Sequence, residues 1–445
     1  MKTNLTEIMN GPWKERAIAT CEERGIPQFA DGLKPVHRFL LYNGYKMAKT
    51  KFDKCAAIGS SVAILGYEHG EQSATGALVN LAAYYCNNLP LFEGDGNFGS
   101  RLHTEAAAAR YIFAKLSPYI DYIFKDTELA PKNPDPEIIP PLYYLPIIPV
   151  FLLNGIKGIA TGYAVDIPPH DPISIIDNLI RLCENKELKE IKPKYYAFSG
   201  KVEKNLDHYE LTGTYEVQSP IHFVVTDLPP GNTMLSYEAY LKKLQERGVI
   251  QSYENNSCND EFNYDIYIKK GSRWTEEQII KNLKLFTTHT WNLTTIMPDG
   301  KLHIWDKITG INDMMLEFYK FRIPFVQKRI DNKIIELSEL TKFYSGFIKF
   351  IKDVIASKYN LKNVVEDVLR DDLLNTYGIP QTFVERVMNA PVRTLTTNRI
   401  KEMEDKLVET KEELKYYKST TKEIEYKKDL EELKKAVKKF QNQQD

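Results

Sequence analysis

The sequence predicts an α+β multidomain protein, and three observations carry that expectation. Between Ala56 and Cys86 two short helical patterns flank a glycine-containing turn, GYEHGEQS, and a glycine-rich stretch follows. Between Asp171 and Asp306 short strand-like segments alternate with helical ones. From Ile311 onward apolar residues recur at heptad spacing. The 445 residues suffice for roughly three domains, and the patterns divide them as 1–170, 171–310 and 311–445.

Taken in order, the first region opens with Trp13, then Arg24-Gly25-Ile26-Pro27 and DGLKPVHR from Asp31 to Arg38. Pro27 and Pro35 interrupt helices, and Asp31-Gly32 signals a turn. Val36, Phe39, Leu40 and Tyr42 predict a helix with Pro35 in its first turn. From Asp31 to Lys54 six basic residues face two acidic ones, a local net of +4. Taken alone, a solvated helix face is the simpler account of that run, and a phosphate-contacting surface is the sharper one.

The next two helices run from about Ala56 to Leu65 and from Gly70 to about Cys86. Ala74, Leu78, Leu81, Ala82 and Tyr85 share one face of the second. Glu71, Gln72 and Ser73 fall in its first turn, where recognition helices present side chains to DNA. Such helix pairs also occur in proteins that never meet DNA, so the pattern alone decides nothing. The stretch from Gly94 to Pro118, GDGNFGSRLHTEAAAARYIFAKLSP, then reads as a β-wing. Its glycines allow tight turns and close backbone approach. Its alanines, Ala106 to Ala109, keep the surface low ahead of Arg110 and Tyr111.

An apolar block from Tyr143 to His170 reads as short buried strands or tightly packed loops. Within it Gly158-Ile159-Ala160 holds a branched residue between two small ones, the pattern of a side chain that wedges into a base step.

In the second region a helix is predicted near Ile173 to Asn185. Strands follow over His208 to Val217, His222 to Thr226 and Phe262 to Ile268, with helices over Tyr237 to Arg247 and Glu276 to Leu285. A hairpin over Thr294 to Trp305 turns at Asp299-Gly300. In the third region Ile330, Ile334, Leu337, Thr341, Tyr344, Ile348, Ile351 and Ile355 form a heptad seam, with Pro324 kinking or starting its helix. A compact helical knot follows near 360–398. Ile400, Met403, Leu407, Thr410, Leu414 and Tyr417 form a second seam, which Leu430, Leu433, Val437 and Phe440 continue. Two seams joined by a knot predict a long antiparallel coiled coil with a small globular dimer contact at its tip.

Composition narrows the setting. The 59 basic and 60 acidic residues nearly cancel, so any DNA site must be a local patch. The five cysteines are widely spaced, with no C-x-x-C, which points away from disulfides and structural zinc and toward a reducing compartment. The N-terminus has no apolar signal core, and no stretch is long and uncharged enough to span a membrane. A cytoplasmic protein is expected.

The chemistry centres on Tyr111. A tyrosine that attacks a backbone phosphorus exchanges one ester for another and frees a sugar hydroxyl that can reverse the step. Cations must stabilise the crowded phosphate, and Arg110 is the neighbouring candidate. A metal would also serve, but no D-x-D follows an apolar strand. The chain is therefore expected to lack its own metal site.

DGLKPVHR, YEHGEQS, GDGNFGS, AAAARY and NGIKGIATG occur in an order and at a spacing that resemble the breakage-reunion part of type IIA DNA topoisomerases. The short N-terminus, RYIFAK and the length look most like bacteriophage members. The resemblance implies a winged-helix (helix-turn-helix) DNA-cleavage domain, an α+β tower and a coiled coil ending in a dimer gate. It implies that Tyr111 forms a 5′-phosphotyrosine link, that Arg110 is its transition-state partner and that His69 lies near the scissile phosphate. Arg24, Lys34, His37 and Arg38 would line the DNA, Ser73 would lie on the recognition helix where topoisomerase poisons act, and Ile159 would bend the duplex. Mg2+ and ATP would be bound by Toprim and ATPase domains on a partner chain, with double-stranded DNA as substrate and a homodimer closed through the coiled-coil gate. Glu68 replaces a family histidine before His69, and Asp95 replaces the glutamine of the family's GQGNFG. With no β-pinwheel repeat after Asp445, relaxation or decatenation is expected rather than supercoiling. The alternative is a catalytically silent DNA-bending or scaffold protein of the same fold. A tyrosine recombinase fits less well, because the coiled-coil hairpin has no place in it.

Overall fold

A computed structural model describes residues 4–361, 364–391 and 397–441. The chain forms two compact units: Met1–Arg322 with Lys427–Asp445, and Ile323–Tyr426.

The first unit begins with α1 (Leu5–Asn10) and α2 (Pro12–Thr20), then a π-helical turn over Cys21–Gly25. The helix predicted after Pro35 is α3 (Pro35–Met47), with Pro35 at its first position. After the short strand β1 (Asp53–Lys54) come α4 (Cys55–Ser60), a 3-10 turn over Ser61–Leu65 and α5 (Glu71–Ala82). Gly66 ends that turn at φ +94°, a conformation that suits glycine. α4 and α5 cross closely because Gly59 has no side chain: a Cβ there would lie 2.2 Å from Thr75 Oγ1. The strands β2 (Phe92–Asp95) and β3 (Phe113–Leu116) complete an antiparallel sheet in the order β1-β3-β2, pairing Asp53 with Ala114 and Asp95 with Phe113. Helices followed by a β2–β3 wing make the predicted winged helix.

The apolar block resolves differently from expectation. After α6 (Ile120–Ile123), α7 (Val150–Leu153) is fully buried, but the next residues form an outward hairpin, β4 (Ile156–Ile159) and β5 (Ala164–Ile167). Then α8 (Pro172–Cys183) starts on an Asp171 cap, whose side chain accepts the Ser174 N–H.

The α+β region adds β6 (Lys201–Asn205), β7 (His208–Thr212), β8 (Tyr215–Ser219), β9 (His222–Val225), α9 (Met234–Glu246), β10 (Ser252–Asn255), β11 (Tyr264–Tyr267), α10 (Glu276–Asn282), β12 (Phe286–Thr290), β13 (Thr294–Ile296) and β14 (Leu302–Ile304). The strand expected over His208 to Val217 is two strands in two sheets, β12-β7-β6 and β10-β11-β9-β8. The chain changes sheet at Gly213, where a Cβ would sit 2.4 Å from Asp227 O. Phe223, Val225, Tyr237, Leu241, Tyr264 and Ile266 form the core there, and Leu102 from the wing loop joins them.

α11 (Gly310–Ile355) runs from the first unit into the second. Pro324 lies inside it, fourteen residues past its start, so Pro324 does not begin the helix. The second unit adds α12 (Glu366–Asn375), α13 (Gln381–Met388) and α14 (Thr397–Ser419). Phe343, Phe347, Ile348, Ile351, Leu373, Ile379, Val384, Ile400 and Met403 form its core. Lys352 pairs with Glu404 at 2.7 Å, while Lys333 feels Glu413, so α11 and α14 run antiparallel. The seam holds at Ile330, Leu337, Ile348 and Ile351, but Ile355 faces solvent. Residues 362–363 and 392–396 of the expected knot lie outside the described residues.

The continuation of the second seam is corrected. The helix breaks at Thr420-Thr421, and α15 (Lys422–Gln441) brings its end into the first unit. Leu430, Leu433 and Val437 are buried there, Phe440 meets Tyr119 edge-on at 5.0 Å, and the Lys125 ammonium donates to Asp429 and Glu432. No described helix is long and apolar enough to cross a membrane.

Candidate active site

The wing loop is shaped by its own backbone. Asn97 Oδ1 accepts the Gly99 N–H at 2.8 Å, and Asn97 O accepts that of Ala107 at 2.9 Å. Gly96 and Gly99 sit at φ +109° and +85°, and Cβ atoms there would press on Ile112 and on Thr104 O. The loop then docks beside α4, where Ala109 O accepts the Ala56 N–H and Ile112 O accepts that of Cys55. The alanine run makes this docking low, and the chain turns as Ala108 O accepts the Tyr111 N–H.

Tyr111 is thereby displayed. It is 69% exposed, and its hydroxyl makes no hydrogen bond among the described residues. The Arg110 guanidinium lies 5.4 Å from its ring centroid, so the two neighbours point the same way. Tyr119, eight residues on, is buried and spends its hydroxyl on Pro90 O. Of these two tyrosines, only Tyr111 offers its oxygen to a large external substrate.

His69 stands just before α5, edge-on to Tyr67 at 5.3 Å, and Tyr67 packs on Phe39. Gly70 is the N-cap of α5, and Ser73 is exposed in its first turn. No hydrogen bond, ion pair or ring contact joins His69 to Tyr111 among the described residues.

The basic residues from Arg24 to Arg38 divide in two. Arg24 is exposed, and the Lys34 ammonium donates to Lys157 O at 2.7 Å on β4. Burial lowers the Lys34 pKa. Arg38 instead belongs to the interior: its Nε donates to Asp31 Oδ2 at 2.6 Å and its Nη2 to Leu33 O at 2.9 Å. Asp31 also accepts the N–H groups of Leu33 and Tyr144. Arg38 therefore ties the DGLKP turn rather than reaching outward. His37 is not cationic at neutral pH, since burial, with Lys34 and Arg38 nearby, lowers its pKa to about 3.

Ile159 is 87% exposed at the end of β4. Its hairpin is seated on the turn after α2, where a Cβ on Gly158 would lie 1.9 Å from Gly25 O. That approach, possible only for glycine, brings Arg24, Lys34 and Ile159 to one place.

Among the described residues no group of three or more His, Cys, Asp or Glu side chains is placed to hold a metal ion. The groups around Tyr111 do not fit a metal site by themselves.

The family model for the A chain of DNA gyrase/topoisomerase IV matches residues 24–434. The chain belongs to that family. It is 35% identical to the DNA topoisomerase medium subunit of Enterobacteria phage T4, over 97% of this chain and 99% of that one. It is 29% identical to the mitochondrial DNA topoisomerase 2 of Dictyostelium discoideum, covering 94% of this chain but 34% of that one. The solved DNA-binding, cleavage and re-ligation domain of Plasmodium falciparum topoisomerase II superposes with a TM-score of 0.85 at 28% identity, over 97% of this chain and 64% of that one. This chain thus spans nearly the whole phage protein and about a third of the Dictyostelium enzyme. Type II topoisomerases generally use Mg2+ and ATP.

Within this topoisomerase chain, sequence reasoning missed two side chains beside the site. Arg101, on the wing loop, donates through Nη2 to Asp227 Oδ1 at 2.7 Å and to Leu228 O, and through Nη1 to Ala197 O. The Ser199 N–H and hydroxyl complete Asp227. Arg101 thereby pins the loop that leads to Tyr111 onto the α+β region. Lys157, next to the Gly158-Ile159 pair, is the second. Only its position beside that pair signalled it in the sequence.

Proposed function

We propose that this chain is the DNA-cleaving and religating subunit of an ATP-dependent type II DNA topoisomerase. The Tyr111 phenol oxygen attacks a backbone phosphorus of the duplex and loses its proton. The bond from phosphorus to the 3′ oxygen breaks, that oxygen takes a proton, and a 5′-phosphotyrosine ester remains. The freed 3′ hydroxyl reverses the step after a second duplex has passed. Arg110 holds the charge that spreads over the phosphate oxygens in the transition state. His69 lies near that phosphate, Arg24 and Lys34 hold the flanking backbone, and His37 lines it as a neutral donor. Arg38 acts by holding the loop that carries Lys34. Ser73 faces the DNA from α5, and Ile159 wedges into a base step and bends it.

Among the described residues the Tyr111 hydroxyl has no hydrogen-bond partner, which supports a site completed by other chains. In this reading Mg2+ is held by a Toprim domain and ATP by an ATPase domain, both on a partner. A second copy of this chain joins through the knot at the coiled-coil tip. The breakage, tower and gate domains span 1–170, 171–310 and 311–445, with residues 427–445 returning to the first unit, and the enzyme relaxes or decatenates DNA in the cytoplasm.

The observation that carries the proposal is the outward display of Tyr111 beside Arg110. Its test is denaturant trapping with duplex DNA, partner chain and Mg2+. The wild-type chain is expected to give a covalent protein–DNA adduct and Tyr111→Phe none. No wild-type adduct leaves a DNA-bending scaffold as the better account, and an adduct that survives Tyr111→Phe overturns Tyr111 as the nucleophile.

A further inference from the structure

The hairpin that carries Ile159 is braced by a chain of side chains that the cleavage chemistry does not use. Asp166, on β5, pairs across the hairpin with Lys157 on β4. Its Oδ2 lies 3.1 Å from the Lys157 ammonium and its Oδ1 2.9 Å from His289 Nε2 on β12. On its far side His289 Nδ1 bonds the Tyr195 hydroxyl. The backbone doubles the link: Asp166 and Asn292 exchange N–H to carbonyl bonds at 3.0 and 3.1 Å.

These contacts order the charges. Burial works against the Asp166 carboxylate, but its bond to His289 and the nearby Lys157 outweigh that and lower its pKa. Ionised, it accepts from both sides, from the Lys157 ammonium and from His289 Nε2, while His289 Nδ1 bonds the Tyr195 hydroxyl. The Lys157 side chain, paired with Asp166, is 72% exposed. Its residue is two positions before Ile159, and its carbonyl is the one that Lys34 binds. An ammonium is therefore parked beside an exposed apolar wedge, with its anchor fixed to the α+β region.

We infer that Lys157 is a DNA-phosphate contact flanking the base step that Ile159 enters, and that Asp166, held by His289, is the residue that positions it. When a phosphate approaches, the ammonium passes from the carboxylate to the phosphate or is shared between them, and His289 keeps Asp166 in place. Contact and wedge ride on one hairpin, so binding the backbone and opening the step are coupled. This inference rests on the reading of Ile159 as the wedge.

The test uses the full chain with a linear duplex labelled at both ends, measuring affinity across a salt series and end-to-end energy transfer. Lys157→Gln is expected to reduce the slope of log affinity against log salt by about 0.9 per bound chain, the loss of one phosphate contact. It should also lower the bend, and Lys157→Arg should restore both. Asp166→Asn should keep the slope, since the lysine is still charged, but reduce the bend. Ile159→Ala should lose the bend and keep the slope. If Ile159→Ala bends DNA as the wild type does, the wedge reading fails. If Ile159→Ala loses the bend while Lys157→Gln keeps the wild-type slope, the Lys157 contact alone is overturned. An unchanged bend in Asp166→Asn overturns its positioning role.

Discussion

Two exposed side chains in the first unit, Tyr111 on the wing and Ile159 on the β4–β5 hairpin, are held in opposite ways. The hairpin is gripped on every side: Gly158 against Gly25, Lys34 on Lys157 O, and Asp166 on His289 and Asn292. The wing is gripped before and after Tyr111, at Arg101 and in β3, while the tyrosine itself touches little but Arg110. The proposed wedge must press on stacked bases without yielding, so its stiffness has to come from its own chain. The proposed nucleophile must meet groups that arrive with DNA and partner, so it is displayed and left incomplete.

Four perturbations probe this contrast. Arg101→Ala attacks the wing's anchor and should have the largest effect on stability. It leaves Asp227, 4% exposed, as an unpaired buried charge, at a cost of about 3–5 kcal/mol. Thermal unfolding measures that loss, and any DNA cleavage should fall with it. A variant as stable as the wild type would mean that the wing holds itself. Gly158→Ala attacks the hairpin's seat. A methyl 1.9 Å from the Gly25 carbonyl oxygen forces the hairpin off the turn after α2, at about 3 kcal/mol. Denaturant titration should show it, with DNA bending lost and the Tyr111 wing unaffected.

Acid reaches the hairpin's root. His170 follows β5, is fully buried, and burial lowers its pKa to about 4. The unfolded chain binds a proton there below about pH 6.5 and the folded chain does not, so stability falls as pH drops from 6.5 toward 4. From pH 7 to pH 5 this amounts to about 2 kcal/mol. Replacing His170 with Gln should flatten that part of the profile in calorimetric scans, and an unchanged slope would place the acid sensitivity elsewhere. Ile159→Ala should change stability least, within about 0.5 kcal/mol, because the side chain is exposed. A large loss of melting temperature would show that Ile159 packs rather than wedges.

The same contrast explains what the sequence disclosed. Helices with clear periodicity, such as α3, α5 and the seam of α11, were legible because one face is buried and turn residues bound most of them. Tyr111 and Arg110 were legible because glycines and alanines frame them. The hairpin's pairing was hidden, since it follows the buried α7 within one apolar block that reads as core, although Gly158-Ile159-Ala160 marked its exposed residue. β6, β10 and β12 were missed because KVEKN, SYEN and FTTHT are polar, half-exposed strands. Charge counting grouped Arg38 with Lys34, although a buried Asp31 claims the former. Heptad spacing extended the second seam into α15, because spacing says that a face is buried but not against what. Asp166 and His289 are 123 residues apart, so only the fold could bring them together.

The most direct measurement of the central claim is the site of attachment. The trapped protein–DNA adduct is digested with nuclease and trypsin, and the peptide that retains a nucleotide is sequenced by mass spectrometry. The account predicts the nucleotide on Tyr111, linked through a 5′ phosphate. A nucleotide on another exposed tyrosine, such as Tyr122 or Tyr163, would contradict it.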